Sequence, residues 1–203
     1  MMSENLEAEA RSRRVLVFCA SSRSCDPDFH RAAADLGRSL ALAGDTVVYG
    51  GGGVGSMGAL AEAALEAGGR VIGVQPRFMS ELEWTQSGLS ELVLVDDMQA
   101  RKREMLLRAD AVVTLPGGSG TFEELFEVIT SKRLGLFPKP IILVNQRGFF
   151  APFVEMMEHC VDENFMHDAH LDIWQLVESV SEVQIALREA PEWSARAIEF
   201  ASP

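Results

Sequence analysis

The chain has 203 residues, 30 of them acidic against 18 basic, and a formal net charge of −12. That balance argues against a general nucleic-acid binder, which presents a basic stripe, although it leaves room for one basic pocket around a small anion. With 47% hydrophobic residues, no apolar run near the ~18 residues of a membrane helix, and three scattered cysteines (Cys19, Cys25, Cys160), the composition suggests a cytoplasmic globular protein without a disulfide framework.

Residues 1–12 read as a disordered acidic leader, lacking the basic and apolar regions of a signal peptide. Residues 13–203 are expected to form a single domain, long enough for one core. The apolar run 14–19 predicts a first buried strand, ending in the polar turn Ala20-Ser21-Ser22-Arg23-Ser24. A helix is predicted over 28–43 and stopped by Gly44-Asp45, then a strand at 46–49 and a glycine-rich loop at 50–58. An alanine-rich helix over 59–67, closed by Gly68-Gly69, precedes a strand at 70–74 and an irregular stretch with Glu81, Glu83 and Trp84. Next come a strand at 91–95, a helix over 98–108 capped by Asp96 or Asp97, and a strand at 111–115. The following helix is expected to end near Gly135. The remaining expectations are strands at 140–144 and 173–177, helices over 149–161 and 181–190, and a tail from 193 that covers an edge or meets a partner chain. Strands alternating with helices predict an α/β fold, a Rossmann-like, doubly wound parallel sheet covered on both faces. Ligands in such folds sit beyond the carboxyl ends of the strands. The loops at Ser21-Ser22, 50–58 and 116–121 are therefore expected to converge on one crevice.

The third of these loops, Pro116-Gly117-Gly118-Ser119-Gly120-Thr121, runs from a strand into a helix. Its three glycines let backbone N–H groups face a ligand, and the helix start adds unpaired donors and positive dipole, a cradle suited to phosphate. Just beyond stand Glu123 and Glu124, which a plain phosphate site would avoid. Glu124 has two readings at this level: a catalytic carboxylate, or the second half of a Thr121-x-x-Glu124 capping box. Glu123 reads as a first-turn carboxylate. The loop at 50–58 holds six glycines among nine residues, more than tight turns need, so it is expected to face a ligand. Its Gly51-x-Gly53-x-x-Ser56 is only a weak dinucleotide fingerprint, since it does not follow the first strand. Arg101, Lys102 and Arg103 crowd the N-terminal end of a helix, the unfavourable end for cations, and so call for anionic partners unless they form a solvated face. On spacing, Met98, Arg101 and Met105 share a face. His30, His159, His167 and His170 make no zinc pattern, and Cys19 and Cys25 no nucleophile signature.

Residues 116–124 match PGGxGTxxE and resemble the LONELY GUY family of cytokinin riboside 5′-monophosphate phosphoribohydrolases, long labelled lysine decarboxylases. Phe18-Cys19-Ala20-Ser21-Ser22 is similar to FCGSS with alanine for glycine. Residues 51–58 are similar to GGGxxGLMG, and Met98-Gln99-Ala100-Arg101-Lys102 to MHxRK with glutamine for histidine. The resemblance implies Arg101 and Glu124 as the catalytic pair. It implies that Gly117, Gly118, Ser119, Gly120 and Thr121 hold a 5′-phosphate, and that Ser22, Gly53, Met57, Glu83 and Lys102 also bind the nucleotide. It further implies a purine nucleoside 5′-monophosphate as substrate, no cofactor and no metal, and a homodimer. The alternatives left open are a nucleosidase acting on AMP or other monophosphates and a nucleotide or cofactor carrier without turnover.

Overall fold

The computed structural model describes residues 12–81, 84–194 and 197. Of the leader expected over 1–12, residues 1–11 lie outside the described residues; Ser12 Oγ donates to the Gly44 carbonyl. In β1 (Arg14–Phe18), Val15, Leu16, Val17 and Phe18 are all buried. Alternation splits them, with Val15 and Val17 in the core on one face of the sheet and Leu16 and Phe18 in the core on the other. A strand that is apolar on both sides needs cover on both sides.

That cover arrives in chain order. α1 (Pro27–Leu42) starts on Pro27, with the Asp26 carboxylate accepting the Asp28 N–H, and closes before Gly44 at φ +77°. β2 (Thr46–Tyr49), α2 (Gly55–Glu66), β3 (Val71–Pro76), the single turn α3 (Arg77–Ser80) and β4 (Glu91–Val95) follow. Then come α4 (Met98–Arg108), β5 (Ala111–Thr114), α5 (Ser119–Arg133), β6 (Ile141–Val144), α6 (Ala151–Asp162), β7 (Gln175–Val177) and α7 (Val183–Glu189). All seven strands form one parallel sheet in the order β4-β3-β2-β1-β5-β6-β7. α1, α2 and α7 supply the core on one face, and α4, α5 and α6 the core on the other. The expected doubly wound parallel sheet is thus the fold. From β1 the chain steps outward through β2 to β4, then returns to β1's other side as β5. The loops after β1 and β5 leave toward opposite faces, which opens a crevice at this switch point.

Two helices begin earlier than the sequence predicts, and both begin on glycine-rich loops. α2 starts at Gly55, not at 59, so the second half of the glycine loop is its first turn. α5 starts at Ser119 with Gly118 as its N-cap, which places Thr121 inside the first turn. The Thr121-x-x-Glu124 capping box is therefore not formed, and Glu123 lies in the second turn rather than the first. Thr121 instead turns inward and is buried, its Oγ1 filling the space where a Cβ on Gly117 would stand. Asp97 is the cap of α4, accepting the Ala100 N–H at 2.7 Å. Close approach also shapes the α1/α2 face, where a Cβ on Gly37 would overlap the Leu60 carbonyl oxygen.

Candidate active site

Arg101 projects from the first turn of α4 and is buried. Its Nε donates to the Val74 carbonyl and its Nη2 to the Gly50 carbonyl, each at 3.2 Å. Its Nη1 lies 3.4 Å from Glu124 Oε1 on α5. The carbonyls of Val74 within β3 and of Gly50 just past β2 therefore aim one guanidinium at one carboxylate, and both side chains are about nine-tenths hidden, at 9% and 12% exposure. A Cβ on Gly50 would overlap Nη2, so only glycine there leaves the guanidinium its place. This is what the density of glycines at 50–53 concealed: Gly50, immediately after β2, bears directly on the pair and was not singled out from sequence.

Glu124 is held by packing from below. Phe122, two residues earlier, stacks on Phe149 at 6.1 Å and meets Phe150 edge-on at 6.0 Å. Phe153 and Trp174 extend the same aromatic cluster. Burial of the carboxyl pushes its pKa from the ordinary 4.5 up to about 7; the Arg101 charge opposes that rise and the neighbouring Glu123 charge adds to it. Cys19, at the end of β1, lies close enough for the Glu124 charge to add to the burial that holds its thiol protonated.

The cation cluster on α4 finds the partners its position requires. Lys102 Nζ is paired with Glu123 and lies 2.6 Å from Glu127, so α4 and α5 are laced together beside the Arg101–Glu124 pair. Its ammonium is occupied by these two carboxylates, while Arg103 is exposed. Met98 is 39% exposed and does not join the buried face, which consists of Arg101, Lys102 and Met105.

Two of the three loops meet directly, and the third leads into the helix that carries Glu124 to Arg101. The Met57 N–H donates to the Ala20 carbonyl at 3.1 Å, and Gly55, at φ +62°, lies against the backbone of Ser21 and Ser22. The Met57 side chain fills the space beside Gly50 and Gly52, next to Arg101. Gly53 is covered by Gln86, in a segment that pairs with the loop through Gly53 N–H to the Trp84 carbonyl and Gln86 N–H to the Gly51 carbonyl. Gly118, Ser119 and Gly120 are exposed at the start of α5, whose first-turn N–H groups have no helical acceptor. Ser22 is exposed on the loop after β1. Glu83 lies outside the described residues. His30 Nε2 sits 3.0 Å from the Ser22 carbonyl and 3.1 Å from Cys25 Sγ, and His167 and His170 accept backbone N–H groups, so these histidines serve the loops.

Chemically, the arrangement is an anion cradle at a helix N-terminus beside a buried carboxylate of tunable charge and a permanent cation. Comparison with known proteins narrows it. A family model described as "Possible lysine decarboxylase" matches residues 57–187. Cytokinin riboside 5′-monophosphate phosphoribohydrolase LOG2 of Arabidopsis thaliana is 41% identical over 160 residues, spanning 79% of this chain and 75% of that one. The phosphoribohydrolase LOG of Oryza sativa subsp. japonica is 38% identical over 188 residues, spanning 92% and 78%. Among solved structures, the molybdenum cofactor carrier protein of Chlamydomonas reinhardtii superposes with a TM-score of 0.68 over 89% of this chain and 98% of that one. At 20% identity that likeness speaks for the fold alone.

Because the folded protein holds the Glu124 proton more tightly than the unfolded chain, the associated stability is complete below about pH 4.5 and is lost as pH rises through about 7. Glu124→Gln removes this dependence. Urea unfolding at several pH values should show the variant gaining on the parent by about 3 kcal/mol between pH 4.5 and pH 8. A difference independent of pH would contradict the raised pKa.

Proposed function

The chain belongs to the family of cytokinin riboside 5′-monophosphate phosphoribohydrolases, which makes it a hydrolase, and on that premise we propose its reaction and site. It hydrolyses the N-glycosidic bond of an adenine nucleoside 5′-monophosphate bearing a cytokinin-type N6 substituent. The observation that carries this reading is the buried Arg101–Glu124 pair beside the glycine-capped start of α5.

The 5′-phosphate rests on the first-turn N–H groups of α5, with Gly117, Gly118, Ser119, Gly120 and Thr121 around it. C1′ then lies over Glu124. As the bond to the base lengthens, positive charge grows on the ribose, and a carboxylate in a dry site stabilises that charge far better than water does. Glu124 also accepts a proton from the attacking water, whose oxygen bonds to C1′ while the base departs with the bonding electron pair and takes up a proton from solvent, to which Glu124 returns its own. The products are free base and ribose 5-phosphate. Arg101, permanently charged, orients Glu124 and offsets negative charge on the leaving base; it is not a proton donor. Ser22, Gly53, Met57, Glu83 and Lys102 complete the nucleotide site, Lys102 by fixing α4 against α5. Neither a cofactor nor a metal has a step in this scheme.

Leu107 on α4 and Leu136, just past the end of α5, are 69% and 75% exposed beside a groove of about 370 Å³ that Gln99, Arg103, Glu127 and Ser131 also line. The two exposed leucines beside this groove support a homodimer assembled here, and sedimentation equilibrium at micromolar concentration should give twice the chain mass; a monomer would exclude it. No described helix is long and apolar enough to cross a membrane, and the three cysteines are unpaired, which fits a cytoplasmic enzyme.

The direct test is chromatographic detection of base released from N6-isopentenyl-AMP, AMP and GMP. The parent should prefer the isopentenyl nucleotide to plain AMP and GMP. Glu124→Ala should lower kcat by roughly 10²–10³-fold with nucleotide still bound. Gly50→Ala, which displaces Arg101, should cost about 10²-fold. Equal release from AMP would make the protein a general nucleosidase, and binding without any release would make it a carrier.

A further inference from the structure

β3 is buried along its whole length, yet it carries one amide side chain, Gln75, that is entirely withdrawn from solvent. Neither the packing of the sheet nor the reaction scheme calls for it. Where an apolar side chain would pack as well, a buried amide is unfavourable unless its hydrogen bonds are made. The Gln75 side chain makes one. Its Oε1 accepts the Thr85 hydroxyl at 2.5 Å, while Nε2 meets no acceptor among the described residues. The role of the amide therefore lies in what that one bond holds.

Thr85 lies in a short segment laid across the glycine-rich loop. It faces Gly52 in an antiparallel bridge, where the Gly53 N–H donates to the Trp84 carbonyl and the Gln86 N–H to the Gly51 carbonyl, both at 2.9 Å. On its other side the loop rests on β3. A Cβ on Gly51, which stands at φ +80°, would lie 3.3 Å from the Gln75 Cβ, and one on Gly73 would lie 2.9 Å from the Gly51 Cα. The glycines are thus held between strand and segment, and the Gln75–Thr85 bond closes the ring around them. Among the described residues it is the one side-chain hydrogen bond that joins residues 84–86 to the sheet. Residues 50–53 are four consecutive glycines, with wide backbone freedom and no side chains to anchor them, so their path must be fixed from outside. That path includes Gly50, whose carbonyl receives Arg101 Nη2, and Gly53 of the nucleotide site.

We propose that Gln75 is a positioning residue for the reaction, acting through Thr85 to hold the glycine-rich loop in its nucleotide-ready path before substrate arrives. The inference rests on the phosphoribohydrolase reading and adds a residue to its machinery. When the bond is lost, Arg101 keeps the Val74 carbonyl and Glu124, and a bound nucleotide reorders the glycines at its own expense. The cost then falls on binding, not on the chemical step.

Thr85→Val removes the hydroxyl at nearly constant shape, and Thr85→Ser keeps it. Thr85→Val should raise KM for base release from N6-isopentenyl-AMP about tenfold and leave kcat within about twofold. In the nucleotide-free protein it should speed amide hydrogen exchange at Gly53 and Gln86 about tenfold, with Val113 in β5 unmoved. Thr85→Ser should return both readouts to within about twofold of the parent. Gln75→Leu should match Thr85→Val, and the double variant should add nothing further; if Gln75→Leu does not fold, the Thr85 pair decides alone. Unchanged exchange at Gly53 and Gln86, equal acceleration at Val113, or a fall in kcat with KM unmoved overturns the positioning role while turnover stands. If the parent releases no base, exchange and the calorimetric Kd for the same nucleotide carry the test. Acceleration confined to the loop with about tenfold weaker binding then sustains the positioning role and overturns the reaction.

Discussion

The Arg101 guanidinium carries a permanent charge and is almost entirely withdrawn from water. Such a group is stable only where every direction it faces offers an acceptor. The protein supplies three: the carbonyls of Val74 in β3 and of Gly50 just past β2, and the Glu124 carboxylate on α5. Much else follows from this requirement. β2 must be followed by a residue without a side chain, since a Cβ on Gly50 would occupy the place of Nη2. α4 must set its first turn against the strand ends, which Asp97 does by capping it there. α5 must bring Glu124 within reach, and the Phe122 cluster fixes that approach from the other side.

Glu124 is the adjustable member of the pair. Burial alone would neutralise it, the Arg101 charge keeps it ionisable, and the balance leaves it near pH 7. A carboxyl poised there can hold a charge when a cation develops beside it and take a proton when water is activated. Lys102 contributes at one remove. By pairing with Glu123 and Glu127, it draws two further acids on the same helix toward α4. The seam also answers the crowding of cations at the N-terminus of α4, which is unfavourable for an isolated helix.

Most of this architecture was legible in the sequence, because buried strands and amphipathic helices announce themselves by periodicity. The run from Val15 to Phe18, the Asp97 cap and the Gly44 stop needed no tertiary information. The starts of α2 and α5 were less legible, since glycine is a poor helix former and Gly55 and Gly120 read as loop. That is why Thr121 looked like a cap when Gly118 is one. Arg101 and Glu124 were named from the motif resemblance; spacing alone left Glu124 divided between capping and catalysis, and the helix boundary removes the first. Gly50 was hidden among equals: nothing local distinguishes the glycine that faces a guanidinium from those that merely turn. Of the tail, Trp193 Nε1 donates to the Lys132 carbonyl at the far end of α5, a long-range contact with no sequence signal.

The claim on which the account turns is that Glu124 is a buried carboxyl balanced near neutrality by Arg101. Carbon-13 labelling of the glutamate carboxyls, with Glu124 assigned by its absence in Glu124→Gln, allows its titration to be followed directly by NMR. The account predicts a midpoint at about pH 7. A midpoint near the ordinary 4.5 would contradict it, since the carboxyl would then be solvated rather than held in a dry site.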